Sequence, residues 1–315
     1  MPQRYANCWA AARTKLRRRS NGVRYASSRM RTLFVVLHSL CRSDMRTLLV
    51  VLILAGFAQG SRAAHAESVL ALSIGPDAQR FTAAQLLRRP DAAELTIPAD
   101  VSYGRLMKYR AVPLLPLVSV GPAFDTLEAR AADGFVSQIP LALVEKGARG
   151  GAKAWIAIED PAAPWPLLPG KSASAGPFYL VWENPERSAV GSEQWPYQLA
   201  SLAAVESPAH RWPQMVVAAS LPEDAPARRG QAVFTTQCLP CHRMKGAGAA
   251  DVGPDLGQPM NPIQYLTPKG LRSLIRNPQA VRTWPQQQMP GFDQTMLRDA
   301  DLDALIAYLA HMAMH

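Results

Sequence analysis

The sequence predicts a basic leader followed by two dissimilar domains, a mixed α/β, β-rich one and then an all-α one. Three observations carry this expectation. From residue 67 to about 218, short runs rich in β-branched and aromatic residues alternate with Pro, Gly, Asp and Ser, the pattern of strands and turns. At Pro222–Pro226 a polar, proline-bearing stretch interrupts the pattern. Beyond it apolar residues recur at helical spacing, most clearly Leu302, Leu305, Ile306, Leu309 and Met312. A chain of 315 residues is long enough for two hydrophobic cores. The division read from these signals is 1–66 leader, 67–218 β-rich domain, 219–227 linker and 228–315 helical domain.

Charge separates the leader from the rest. Residues 1–66 hold 12 Lys+Arg against a single acidic residue, Asp44, whereas residues 67–315 hold 22 basic and 23 acidic residues. The formal charge of +10 therefore belongs to the leader. Nothing global points to nucleic acid, which requires a basic face on the folded part. "MRTLLVVLILAG" from Met45 has the basic start and apolar run of a signal peptide. The run Leu48–Ala58 is shorter than the roughly 20 residues of an ordinary membrane span. Ala64-His65-Ala66 has the small-x-small form of a cleavage site. The membrane is then met only transiently through the signal peptide, or the protein stays anchored to the inner membrane, facing the periplasm, if it is not cleaved. "MRTLFVVL" at Met30 nearly repeats "MRTLLVVL" at Met45, so translation is expected to start at one of these two methionines, the alternative being a basic, disordered arm ahead of Met45.

In the front domain Thr82 is a helix cap for "AAQLLRRP", which Pro90 ends. Strands are expected in "ELTIPA", "FVSQIPLALV", "AKAWIAIE", "PFYLVWE" and "YQLASLAAV". Past the linker, "ARRGQAVFTTQ" reads as a helix leading into two cysteines. "LTPKGLRSLIRN" is a middle helix that stops before Pro278, and "LRDADLDALIAYLAHM" closes the chain. Asp299, Asp301 and Asp303 sit near the start of that last helix, where carboxylates suit its dipole.

Chemistry concentrates in "CLPCH". Cys8 and Cys41 fall in the leader, so only Cys238 and Cys241 remain beyond it, and no disulfide framework is available. A zinc site would need two more ligands, drawn from histidines such as His242 and His311 at unusual spacing. A thioredoxin-like dithiol should open a helix after a strand, whereas this motif follows a helix. C-x-x-C-H is instead the pattern of covalent haem attachment. Two thiols add to the two vinyl groups, and the adjacent His242 becomes the proximal iron ligand. The sixth ligand must come from the opposite face. Met289 is the best placed, 47 residues beyond His242, because Pro290 disfavours helix at Met289 and puts it on an extended loop. Met260 and Met296, at the entry to the last helix, are the other possibilities, and a core methionine is the alternative role for Met289. Arg282 and Trp284, just ahead of that loop, suit a haem propionate; equally they read as a solvated charge and a core side chain.

"CLPCH", "GPDL", "MPGF" and a final helix with "ALIAYL", in this order over about residues 225–313, resemble a class I c-type cytochrome. The resemblance implies a small all-helical fold with one covalent haem c. It also implies close crossing of the first and last helices, at Gly230, Phe234 and Tyr308. It further implies that Pro254 packs on the His242 ring, with a carbonyl accepting its Nδ1–H. "YRAVPLLPLV", "DGFVSQIPLALV", "GPFYLVWENP" and "QWPYQLASLAAV" give residues 75–207 a weaker resemblance to the molybdopterin-binding domain of sulfite-oxidase-like proteins. That family holds its metal with a cysteine, and this region has none. The front domain is therefore expected to lack molybdenum and to act as a docking or sensing module. The function expected is periplasmic electron transfer through one haem c, between a dehydrogenase or oxidase partner protein and the respiratory chain. That describes a carrier rather than an enzyme. The alternative is an oxidoreductase whose front domain binds a cofactor and feeds the haem.

The leader yields the first prediction. N-terminal sequencing of the purified protein should read Glu67-Ser68-Val69; a start before Met45 would rule out this processing.

Overall fold

Short strands, some alternating buried and exposed side chains and others buried along nearly their whole length, make the front domain a pair of sheets. The computed structural model describes residues 67–75, 78–118 and 124–315; the leader, with Cys8, Cys41 and the Ala64-His65-Ala66 cleavage site, lies outside the described residues. The strands are β1 (Val69–Ser73), β2 (Gln79–Thr82), β3 (Ala93–Ile97), β4 (Met107–Pro113), β5 (Thr126–Ala131), β6 (Val136–Pro140), β7 (Lys153–Ile158), β8 (Phe178–Glu183) and β9 (Leu199–Val205). One sheet has the order β2-β1-β9-β5-β6 and the other β3-β4-β7-β8. Pairing is antiparallel except between β1 and β9.

The expected strands all occur, with one change. "FVSQIPLALV" is a strand only as far as Pro140, and Leu141–Lys146 forms α2, a helix. Pro140 has no N–H for the ladder. Leu141 and Val144, one helical turn apart, then bury toward the core. Helix α1 (Ala83–Leu87) begins as expected. The Thr82 hydroxyl accepts the Gln85 N–H and the Gln85 side chain accepts the Thr82 N–H, a reciprocal cap. β1, β2, β4 and β5 add pairing that the sequence reading did not list as strands.

The front core centres on Phe178, Tyr179 and Trp182 of β8, all but fully buried. It encloses one carboxylate, Asp100. Asp100 accepts the hydroxyls of Tyr109 at 2.7 Å and Tyr179 at 3.3 Å and the N–H groups of Ser102 and Tyr103. A buried charge requires such satisfaction.

Helix α3 (Pro208–Arg211) leads out of this domain. The C-terminal domain contains α4 (Pro226–Val233), a π-helical turn (Phe234–Cys238), α5 (Pro262–Tyr265), α6 (Pro268–Arg276), α7 (Pro278–Val281) and α8 (Asp299–Met314). Single β-bridges, Arg243–Asp255 and Met244–Ala247, and a long loop before α8 accompany the helices. The domain is helical without being entirely so. The Thr267 hydroxyl accepts the Gly270 N–H and so caps α6.

Helices α4 and α8 cross at Gly230. A Cβ there would collide with the Ala304 carbonyl oxygen and stand 2.6 Å from Tyr308 Cβ. Only glycine allows this approach. Beside the crossing, the Phe234 and Tyr308 rings lie 5.2 Å apart.

The segment before α4 is packed rather than free. Met215 and Val217 are buried in the C-terminal core. The Tyr308 hydroxyl donates to the Met215 carbonyl at 2.8 Å, and the Val217 N–H donates to Gln231 Oε1 at 2.9 Å. The Ala218 N–H donates to His311 Nε2 at 3.0 Å. That bond requires a neutral imidazole, and burial together with the neighbouring His315 holds the His311 pKa below the ordinary range. The Arg228 guanidinium donates to the carbonyls of Ala219, Leu221 and Pro222.

Gly230→Ala should overpack the crossing and cost about 2–3 kcal/mol. A thermal melt should show a drop of several degrees; an unchanged melt would mean that the helices separate at no cost.

Candidate functional site

The π-helical turn ends on Cys238, and the chain then tightens. The N–H groups of Cys241 and His242 both donate to the Cys238 carbonyl, at 3.1 and 2.8 Å. This brings the two thiols and the imidazole onto one turn. Both cysteines are unpaired. Burial pushes each thiol up to about 12, the reverse of the depressed pKa of a redox-active thiol. Among the described residues no group of three or more His, Cys, Asp and Glu is gathered as a metal site.

His242 is held as an iron ligand should be. Its Nδ1 stands 2.8 Å from the Pro254 carbonyl; with Nδ1–H donating, Nε2 keeps its lone pair. Burial lowers the His242 pKa, which favours the neutral ring. Gly253 presses on the ring face, where a Cβ would lie 2.6 Å from His242 Cε1. The Gly253 N–H donates to the Cys241 carbonyl at 2.7 Å, so the two segments are tied on both sides of the ring. Pro254 thus meets His242 through its carbonyl oxygen.

Asp255 fixes the rest of that loop. Its Oδ1 accepts N–H groups of Lys245, Gly257 and Gln258, and its Oδ2 accepts that of Gly246. The sequence reading missed this role; "GPDL" signalled a turn but not which residue would anchor it. It also missed Arg276. From α6 this guanidinium donates to the carbonyls of Phe292, Asp293 and Leu297 and pairs with Asp299 at 2.6 Å. The Phe292 N–H returns to the Ile275 carbonyl. Met289 therefore lies three residues ahead of a pinned point, half-buried against the C-terminal core. Met260 is 49% exposed, outside any packed position. Arg282 and Trp284 are exposed and stack on each other, with the guanidinium carbon 5.3 Å from the ring centre.

In this domain the acceptors Gln237 Oε1 and Gln287 Oε1 and the donors Arg243 Nε, Asn261 Nδ2 and Gln287 Nε2 are buried without partners. A group bearing carboxylates would satisfy such donors. The residues thus fit haem c. Cys238 and Cys241 would carry the thioethers, His242 has the free Nε2, and unpaired donors remain for the propionates.

The front domain reaches the same turn. The Val136 N–H of β6 donates to the Pro240 carbonyl at 2.9 Å, and Arg130 of β5 donates to the Ala249 carbonyl at 3.1 Å. No single-sequence signal pointed to this contact.

No curated protein matches the chain. Among solved structures, the sulfane dehydrogenase SoxCD from Paracoccus pantotrophus is similar at 17% identity with a TM-score of 0.31. The match covers 45% of this chain and 38% of that one. The family model described as Cytochrome c matches residues 227–313, the stretch that contains the C-x-x-C-H turn, the His242 cradle and the methionine loop. Residues 227–313 are a cytochrome c domain.

Proposed function

We propose that the protein is a periplasmic electron carrier with one haem c, exchanging electrons with a dehydrogenase or oxidase partner on the way to the respiratory chain. The observation that carries the reading is His242, half-buried on one turn with two unpaired thiols and with Nδ1 committed to the Pro254 carbonyl. Haem c, when bound, supplies a one-electron ferric/ferrous couple. Cys238 and Cys241 would hold it through thioethers. The Pro254 carbonyl orients the proximal imidazole and raises its basicity. Met289 is the sixth ligand in this reading, supported by its packed loop and by the exposure of Met260. A thioether is neutral and soft, so it favours the ferrous state and closes the iron to substrates. A single C-x-x-C-H in the sequence supports one haem, and the leader's charge pattern supports export.

Two outcomes test this. The double variant Cys238→Ala/Cys241→Ala should carry no haem that survives denaturation; retained covalent haem would sink the assignment. Met289→Ala should abolish the long-wavelength thioether-to-iron band, lower the midpoint potential and admit small ligands, while Met260→Ala leaves all three unchanged. A Met289→Ala protein with band and potential intact would move the ligand elsewhere.

A further inference from the structure

The front domain's contact with the haem-attachment turn goes beyond docking. β6 reaches Pro240, the residue between the two cysteines, by a backbone hydrogen bond. A second front-domain segment, the short 3-10 turn Ser192–Gln194, packs on the π-helical turn that ends at Cys238. The Gln237 side chain lies against Gly191, where a Cβ would stand 2.9 Å from Gln237 Nε2. The Ser192–Gln194 turn is rigidly held. The Ser137 hydroxyl of β6 donates to the Glu193 carbonyl at 2.8 Å, and the Trp182 indole of β8 donates to the Gln194 carbonyl at 2.8 Å.

Glu193 stands out on this turn. Its carboxyl receives one long hydrogen bond, from the Ser192 hydroxyl at 3.3 Å. Among the described residues it makes no ion pair. Its negative charge acts on both Cys238 and Cys241 and helps to raise each thiol. A carboxyl on a turn packed against the turn of Cys238, without an ion pair among the described residues, is an electrostatic element with no structural partner to explain it.

We propose that the front domain supplies one wall of the haem site and that Glu193, on that wall, sets the haem's reduction potential through its charge. The inference rests on the haem-carrier reading above. The sign follows from Coulomb's law in a low-dielectric site. A carboxylate beside the thioether edge stabilises the more positive ferric state, so it lowers the potential; its protonation removes the effect. Burial pushes the Glu193 carboxyl up to about 7, which places the change within the physiological range. Of the titratable groups facing it, Cys238 and Cys241 cease to titrate once they are thioethers. Asp133, on the turn before β6, acts on Cys241. The propionates of a bound haem titrate in every variant and cancel in a comparison.

The test is spectroelectrochemical titration of the full-length holoprotein from pH 5 to 9. The wild-type midpoint potential should fall with rising pH in a step that Glu193→Gln lacks. The variant should match wild type at pH 5 and lie above it at pH 8, and Glu193→Asp should restore a step. Parallel profiles for wild type and Glu193→Gln would overturn the proposal. Ser192→Ala gives a second, milder check. It removes the bond that favours the charged carboxylate, so the step should move to higher pH with its limits unchanged; a step that stays in place would also overturn the proposal. A haemochrome assay on the wild type separates the two readings. Absence of covalent haem would reject the carrier function itself, whereas haem with parallel profiles would reject only the role of Glu193.

Discussion

The approach of α4 to α8 at Gly230 is the constraint on which the C-terminal domain depends. With no side chain there, the two helix backbones meet, and Tyr308 can sit in the crossing with its ring against Phe234. Three consequences follow from that one contact. Phe234 begins the π-helical turn, so its packing sets where Cys238 emerges. The Tyr308 hydroxyl is aimed at the Met215 carbonyl and draws the preceding segment onto the core. The start of α8 is brought beside α4, where Arg229 and Asp301 pair at 2.6 Å. Such exposed pairs contribute little alone; here the pair follows from a crossing fixed by burial.

Two loops complete the site, and each is organised by a single charged side chain bonded to backbone. Asp255 gathers N–H groups on the histidine side, and Arg276 gathers carbonyls on the methionine side. Charge-assisted bonds to backbone are stronger than neutral ones, and several converging on one side chain hold a loop without a hydrophobic core of its own. The division of signs is physically apt. A carboxylate collects donors and a guanidinium collects acceptors, so the facing loops are stiffened by opposite means.

Much of this was legible in the sequence because it is local. "CLPCH" is a contiguous pattern, the cap at Thr82 needs only three residues of context, and α8 shows its period over about three turns. The run "FVSQIPLALV" misled because a short apolar stretch fits strand or helix equally well, and only Pro140 marks the change. Asp255 and Arg276 were hidden for a different reason. Their partners are backbone groups, which leave no trace in residue identity. Glu193 was hidden more deeply still: it is 45 positions ahead of Cys238, and its significance arises only when the two domains are in contact. Met289 lies between these cases. Its neighbour Pro290 declares a loop, but the pin at Phe292 that holds the loop is tertiary.

The packed segment Met215–Ala218 has a consequence for how the molecule can be divided. The family match begins at residue 227, yet two of the side chains that fill the C-terminal core, Met215 and Val217, come from before it. A cytochrome domain cut at that point would expose the cleft they occupy and strand Tyr308 and His311 without their backbone partners. Conversely, a protease nick within Pro222–Pro226 would sever the chain without separating the parts, because the N-terminal fragment would still carry its own anchor into the other's core. The start of the family match and the physical boundary are thus offset by 12 residues, from Met215 to residue 227. In this protein the joint is an inserted peg rather than a tether.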